Sequence, residues 1–336
     1  MRRCEDDGCR MQDTRCRMQG SGIKYQVSGT GSLVSIVVTT KNEEKHIENC
    51  LKSIKLQTYP DIEIIVVDNN SIDKTKKIAK KYTNLVFNKG PERSAQRNFG
   101  MMKVAKGKYV MYVDADMILS PTLIEDCVYE MKNNEDLTAL YIPEIVLGNN
   151  FWSKVRRFER RFYDGTTIDC VRFIRKDIFI KIGGFDLSMT GPEDWDLDKK
   201  IRQIGKVKVL TQELRDAENS DSVASWAKEF SDFLKDKSIK WLNYGSVIYH
   251  NEAEFNLKRY LQKKAYYARS FDIYIKKWGL DDPDIKKQFG IWYRFFGVFI
   301  ENGKWKKMIK HPILTMGMYW LRFMVGVMYL MSKARS

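Results

Sequence analysis

Between residues 33 and 113 the chain alternates short apolar runs with stretches whose apolar residues recur at helical spacing. Leu33-Val34-Ser35-Ile36-Val37-Val38 is apolar and β-branched, with the length of a buried parallel strand. Ile47, Leu51 and Ile54 follow at spacings of four and three, the stripe of a helix lying on a core. Ile62-Glu63-Ile64-Ile65-Val66-Val67 predicts a second strand, stopped by Asp68-Asn69-Asn70-Ser71, with a helix from about Asp73. Residues 85–87 predict a third strand, 94–105 a helix ended by Gly107, and 109–113 a fourth strand. Strands alternating with helices predict an open α/β sheet with right-handed crossovers. In such sheets ligands bind beyond the carboxyl ends of strands, where Asp68 and Asp114 stand.

The second half is less regular. Leu140-Tyr141-Ile142 predicts a strand, 151–163 a basic aromatic helix, and Ile182-Gly183-Gly184-Phe185-Asp186 a turn. A helix over 195–204 opens just after Glu193-Asp194. Residues 211–242 are polar and helix-prone, as an insertion would be. Ser246-Val247-Ile248-Tyr249-His250 predicts a short strand ending in a histidine, and 255–278 a basic, Tyr-rich helix. This divides the chain into a polar, disordered tail over 1–32, a body over 33–280 and a helical, aromatic and basic extension over 281–336. No internal repeat is visible.

From Pro312 to Met331 the extension is apolar except near its centre, at Arg322. At 1.5 Å per residue, ~20 helical residues reach about 30 Å, the thickness of a bilayer core. A central arginine opposes a simple span. Trp292, Tyr293, Phe295, Phe296 and Trp305 precede it, interleaved with Lys304, Lys306, Lys307 and Lys310, a mixture suited to the headgroup zone. The expectation is a helical region lying on an anionic membrane surface. The competing reading is a helix packed in a core or a dimer.

Composition narrows the partners. The chain has 336 residues, 43% of them hydrophobic, so a sizeable core forms, and a formal net charge of +15 points to an anionic partner. The densest basic run, Lys74, Lys76, Lys77, Lys80 and Lys81, reads as a solvated helix face. No nucleic-acid-binding motif is present, so nucleic acid is not expected. The six cysteines lack paired metal-binding spacing. Cys50, Cys127 and Cys170 read as isolated core residues, whereas Cys4, Cys9 and Cys16 lie in the polar tail. No apolar run follows Met1-Arg2-Arg3, which predicts no secretory signal and a reducing, cytoplasmic setting.

Four constellations carry candidate chemistry. Asp114-Ala115-Asp116 follows an apolar strand. On an extended chain residues two apart point the same way, and two carboxylates so aimed call for a hard cation, Mg2+ or Mn2+, that in turn binds a diphosphate. Asp68 ends another strand, where it could accept bonds from a nucleobase or ribose, or equally cap its own turn. Glu193-Asp194 lies at a helix start after Gly191-Pro192, placed either to take a hydroxyl proton or to cap the helix. His250 is either structural or a further ligand for a cation near Asp116.

These features together resemble the family 2 inverting glycosyltransferases, which have the Rossmann-like GT-A fold, a mostly parallel sheet flanked by helices. The resemblance runs through Ser35-Ile36-Val37-Val38-Thr39-Thr40-Lys41-Asn42-Glu43-Glu44, Val66-Val67-Asp68-Asn69-Asn70-Ser71-Ile72-Asp73 and Arg93-Ser94-Ala95-Gln96-Arg97-Asn98. It continues in Tyr112-Val113-Asp114-Ala115-Asp116, Gly183-Gly184-Phe185-Asp186, Gly191-Pro192-Glu193-Asp194-Trp195-Asp196-Leu197 and Ile248-Tyr249-His250. It implies that Thr39, Lys41, Asn42, Glu43, Asp68 and Arg97 line the donor nucleotide and that Asp114 lies near its ribose. It further implies that Asp116 and His250 hold Mn2+ or Mg2+, and that Asp194 is the catalytic base with Glu193 beside it.

The implied reaction moves a sugar from a UDP-, GDP- or dTDP-sugar to a lipid-linked or saccharide acceptor at the cytoplasmic face of a membrane. The Gln-x-x-Arg-Trp motif of processive members is missing, which points to transfer of one sugar. One alternative is a sugar-phosphate nucleotidyltransferase, but no Gly-rich phosphate loop stands at residues 39–44. Another is a non-catalytic, basic nucleic-acid-binding protein, which leaves the set Asp114, Asp116 and Asp194 without a role.

Overall fold

The computed structural model describes residues 31–210, 245–252 and 254–333. Its main sheet has seven strands in the order β3-β2-β1-β4-β8-β6-β9. These are β1 (Val34–Thr40), β2 (Ile62–Asp68), β3 (Val86–Asn88), β4 (Tyr109–Asp114), β6 (Leu137–Tyr141), β8 (Phe173–Arg175) and β9 (Lys206–Val209). Only β8 runs against the rest, so the sheet is mostly parallel, as the alternating pattern predicts.

Both faces of the sheet are covered, which is why its strands read as apolar runs rather than alternating ones. Ile36 and Val38 pack with Ile47 and Leu51 of α1 (Ile47–Lys55) and with Leu123 and Cys127 of α4 (Leu123–Asn133). Val37, Ile65 and Val67 pack on the other side with Phe179 of α6 (Lys176–Lys181) and Leu197 of α7 (Glu193–Arg202). Cys50, Cys127 and Cys170 are free and buried, as expected of core residues.

The register sets the site. Thr40 pairs with Asp68 across β1 and β2, and Thr39 with Asp114 across β1 and β4. Three strand ends therefore finish together. Beyond Asp114 the chain turns at Ala115-Asp116 into β5 (Met117–Leu119). That strand forms a second, three-stranded sheet with β10 (Ile248–Asn251) and β7 (Glu144–Leu147), in the order β5-β10-β7.

Some elements differ from the sequence expectation. The helix over 94–105 is a short α3 (Arg93–Asn98) that widens into a π-helical stretch, Phe99–Val104. The helix over 255–278 is two, α8 (Leu257–Ala268) and α9 (Phe271–Trp278). The break falls where the Ser270 hydroxyl accepts the Thr190 amide at 3.1 Å, tying the corner to the loop before α7. The expected tail falls almost wholly in 1–30, and it and the 211–242 insertion lie outside the described residues.

The extension follows with α10 (Pro283–Phe289) and the long α11 (Pro312–Lys333). Met318 and Leu321 of α11 share a core with Val155 and Phe158 of α5 (Phe151–Arg160) and with Tyr293 and Phe299. Arg322 lies on the same inner face, while Ile313, Met316, Trp320, Phe323 and Leu330 are exposed on the outside. The helix is thus docked along one face and apolar along the other.

Candidate active site

Five of the sequence-predicted residues meet in one cluster. Arg97 of α3 donates through Nη1 to Asp194 Oδ1 at 2.8 Å and through Nη2 to Asp114 Oδ1 at 3.1 Å. Thr39 Oγ1 donates to the same Asp114 oxygen at 3.0 Å. Arg93, four residues before Arg97 and so on the same helical face, donates to Glu193 Oε1 at 3.0 Å. Arg97 is 1% exposed, with its guanidinium 4.3 Å from the Tyr112 ring centroid and 5.1 Å from that of Phe185. It is therefore a buried strut between strand end and helix start. Burial alone would raise the Asp114 pKa, yet Arg97 and Arg93 hold it well below the usual carboxylate range.

The two carboxylates that open α7 occupy different environments. The Glu193 side chain is 1% exposed, and burial, then the neighbouring Asp194, raises its pKa. Asp194 is 25% exposed and so is the one that a hydroxyl can reach. At the helix start the Glu193 carboxylate accepts the Gly191 amide, while Asp194 Oδ1 accepts from Arg97. Gly191 makes this approach possible. At φ +110 it adopts a backbone rarely open to other residues, and a Cβ there would lie 2.5 Å from Tyr267 Cβ. Gly184, at φ +66, similarly fits against Asn98, whose amide clamps Phe185 through two bonds of 2.8 Å.

Asp116 and His250 form a second group. The extended-strand argument does not apply to Asp116, because Ala115-Asp116 is a turn; Asp114 is directed to Arg97 and Asp116 to His250. His250 pairs with Met117 across β10 and β5, which brings Nε2 to 3.2 Å from Asp116 Oδ2. Burial would lower the His250 pKa, but Asp116 and Glu144 raise it well above the usual value. Asp116 Oδ1 is buried without a hydrogen-bond partner, as suits an oxygen reserved for a cation. No group of three or more His, Cys, Asp or Glu side chains that could hold a metal occurs among the described residues. A cation here would thus take most of its ligands from phosphate and water, a habit of Mg2+ and similar hard ions.

The third group surrounds the end of β2. Asp68 is fully buried and accepts the Ser71 amide at 2.7 Å and the Ser71 hydroxyl at 2.5 Å, the turn-capping alternative. Asn42, at φ 54, donates its amide to Ser71 Oγ at 2.7 Å and accepts the Ile72 amide at 3.0 Å. Glu43 receives the Thr75 hydroxyl oxygen as acceptor for its amide at 2.8 Å, and its carboxylate holds His46 at 2.9 Å. Lys41 is exposed at the same turn. These bonds fix the loop that follows β1.

Glu144 and Arg172 escaped the sequence reading. Glu144 Oε1 lies 3.0 Å from His250 Nδ1, and Oε2 accepts from Arg160 and Arg172 at 3.0 Å each. It thus orients the imidazole toward Asp116. Nothing local in the sequence marks it, since its partners lie 16, 28 and 106 residues away. Arg93 did leave a signal: its spacing of four from Arg97.

A family model described as Glycosyl transferase family 2 matches residues 35–189. Over 277 residues, 75% of its length, the chain is 27% identical to the minor teichoic acid biosynthesis protein GgaB of Bacillus subtilis, covering 30% of that protein. Over 118 residues, 32% of its length, it is 37% identical to an uncharacterized glycosyltransferase of Methanocaldococcus jannaschii, covering 40% of it. The chain thus spans well under half of either relative. Among solved structures, the mannosyltransferase PcManGT of Pyrobaculum calidifontis, in complex with GDP-Man and Mn2+, superposes with a TM-score of 0.52 at 16% identity, over 90% of this chain and 86% of that one. At that identity the match speaks to fold.

Proposed function

The chain belongs to glycosyl transferase family 2 through residues 35–189, and from that membership we propose that it transfers a single sugar, with inversion, from a nucleotide-sugar to an acceptor hydroxyl at the cytoplasmic face of a membrane. The observation that carries this reading is the Arg97 strut, which joins a partly exposed carboxylate at the start of α7 to the donor-side carboxylate at the end of β4.

In this mechanism the loop after β1 and the end of β2 receive the nucleoside. Asp194 accepts the acceptor hydroxyl proton as its oxygen forms a bond to the anomeric carbon. The bond from that carbon to the phosphate oxygen breaks, and the nucleoside diphosphate leaves with the electron pair. Arg97 keeps Asp194 aimed, and the buried Glu193 with Arg93 fixes the helix start. Asp116 Oδ1 and His250 Nε2 are the groups that would hold a Mn2+ or Mg2+ ion, whose chemistry is to neutralise a leaving diphosphate.

Association with the membrane surface is supported by α11. It is long and apolar enough to cross a bilayer, but its central Arg322 is turned inward to Glu159 and its outer face carries the apolar side chains. A helix so docked suits lying at the interface. The acceptor is then lipid-linked or a saccharide presented at that surface.

The direct test is a thermal-shift screen of UDP-, GDP- and dTDP-sugars with Mn2+, followed by assay of transfer and of anomeric configuration in the product. One sugar class should raise the melting temperature only with metal present. Failure of every donor to bind, or a product with retained configuration, would refute the assignment.

A further inference from the structure

The start of α7 has a second support besides Arg97, and it is aromatic. Asp194 is followed by Trp195, whose ring stacks on Phe271 of α9 with centroids 6.1 Å apart and planes at 19°. Phe289 of α10 meets the same ring edge-on at 6.1 Å, and Tyr274 of α9 lies tilted against it at 6.2 Å. The indole Nε1 donates to the Ile168 carbonyl at 3.1 Å, which fixes the orientation of the ring. Rings in offset and edge-to-face arrangements at such separations attract one another beyond the area they bury. Trp195 therefore occupies a specific seat.

The last ring of the series comes from α11. Tyr329 lies 5.8 Å from Phe271, tilted by 45°. It stands seven residues beyond Arg322 and so on the same side of the helix, the side turned to the body. The inner face of α11 thus has two contacts: Met318, Leu321 and Arg322 dock it on α5, and Tyr329 closes the seat of Trp195. The seat is braced in turn. The fully buried Tyr274 donates its hydroxyl to Gln288 Oε1 at 3.0 Å. Gln288 Nε2 donates to the Thr167 carbonyl at 2.6 Å, next to the carbonyl that receives the indole.

The two supports hold different parts of α7. Arg97 and Arg93 reach the carboxylates of Asp194 and Glu193 from α3, and so set where those side chains point. Contacts from α9 set where the first turn itself lies. Besides Phe271 against Trp195, Trp278 Nε1 and Lys277 Nζ donate to the fully buried Asp196 at 2.9 and 2.7 Å. The residues that make these contacts lie beyond residues 35–189, in the part of the chain that the family model does not match.

We propose that Trp195 is a positioning residue for Asp194, and that α11 completes its seat through Tyr329 and Phe271, which makes α11 part of the catalytic scaffold. Loss of the Tyr329 ring loosens Phe271, Trp195 gains freedom to turn, and the carboxylate beside it shifts. A shift of about 1 Å at a reacting group costs up to about a hundredfold in rate. The donor side, at the ends of β1 and β2, is left as it was. That the residue so held is the base rests on the transfer reading above; that α11 holds the start of α7 does not.

Hydrogen exchange of the full chain tests the mechanical claim without substrate. In Tyr329→Ala the amides of residues 196–199, the first bonded turn of α7, should exchange about tenfold faster, the worth of one aromatic pair. Those of β1 and β4 should not change, and Tyr329→Phe, which keeps the ring, should match the unaltered protein. Equal protection of residues 196–199 in Tyr329→Ala would overturn the proposal whatever reaction the protein catalyses. Transfer kinetics test the positioning role. Tyr329→Ala should lower kcat about tenfold with the donor KM unchanged. Trp195→Leu should lower kcat further, and the double variant should be no slower than Trp195→Leu, because Tyr329 acts through that ring. Multiplied losses in the double variant, or undiminished kcat in Tyr329→Ala, would remove the role; the latter decides the matter even where Trp195→Leu does not fold. A protein that transfers from no nucleotide-sugar would fail the transfer reading, while the exchange result still decides whether α11 holds α7.

Discussion

Arg97 Nη1 lies 2.8 Å from Asp194 Oδ1, and the same guanidinium holds Asp114, so one buried arginine joins residues 80 positions apart on opposite sides of the cleft. Asp194→Asn keeps the size of the side chain but removes the basic oxygen. Donor binding should survive while transfer falls by about 10²–10⁴, the usual cost of losing a general base. The check is transfer rate beside melting temperature. A stable variant with near-normal turnover would exclude Asp194 as the base and leave Glu193 as the next candidate.

Asp116→Ala should abolish Mn2+-dependent binding of a nucleoside diphosphate, because its buried, unpartnered Oδ1 is the proposed hard ligand. His250→Ala should weaken that binding less. Calorimetric titration with and without Mn2+ separates the two. Undiminished affinity in Asp116→Ala would remove the residue from the metal site.

Glu159 ties α11 to the body through Arg322, and the linkage is pH-dependent. Burial would raise the Glu159 pKa, but Arg322 and Arg156 lower it to about 2 from an ordinary 4.5. The folded state therefore binds fewer protons than the unfolded one between these values. The stabilisation, about 3 kcal/mol, is complete above pH 4.5 and fades as pH falls toward 2. Arg322→Met leaves Glu159 buried with less compensation, which should cost about 3–5 kcal/mol at neutral pH. Its stability should also fall less on acidification. Acid unfolding curves that run parallel in the two proteins would contradict this.

Ile309 and Leu330 are 69% and 66% exposed and lie outside the groove. The double variant Ile309→Glu, Leu330→Glu should leave stability unchanged and lower binding to anionic vesicles by about tenfold or more, from lost apolar burial and added repulsion. Added salt should weaken the unaltered protein only in part, since apolar burial is not screened. Unchanged sedimentation of the variant with vesicles would place the membrane contact elsewhere. Substitution is preferred to deletion of the extension, because Met318, Leu321 and Arg322 complete a core with α5.

The local pattern of the chain determined the half-sheet β3-β2-β1-β4, the aspartates at its strand ends and the order of the motifs. Each strand is an apolar run bounded by polar turn residues, and burial on both faces leaves that mark wherever it occurs. The short strands β5, β7, β8 and β9 were not read from the sequence, because so few residues carry no period and each is defined by pairing with strands distant in the chain. Pairings across the chain were likewise invisible: Arg97 with Asp194, Glu144 with His250, and Arg322 with Glu159 are separated by 97, 106 and 163 positions. Periodicity says which face of a helix is buried but not which partner it meets. Arg322 shows the difference most clearly. In sequence it is a charge interrupting an apolar helix, and only the packing of α11 on α5, which brings a carboxylate and two aromatic rings to its guanidinium, decides which way that helix faces.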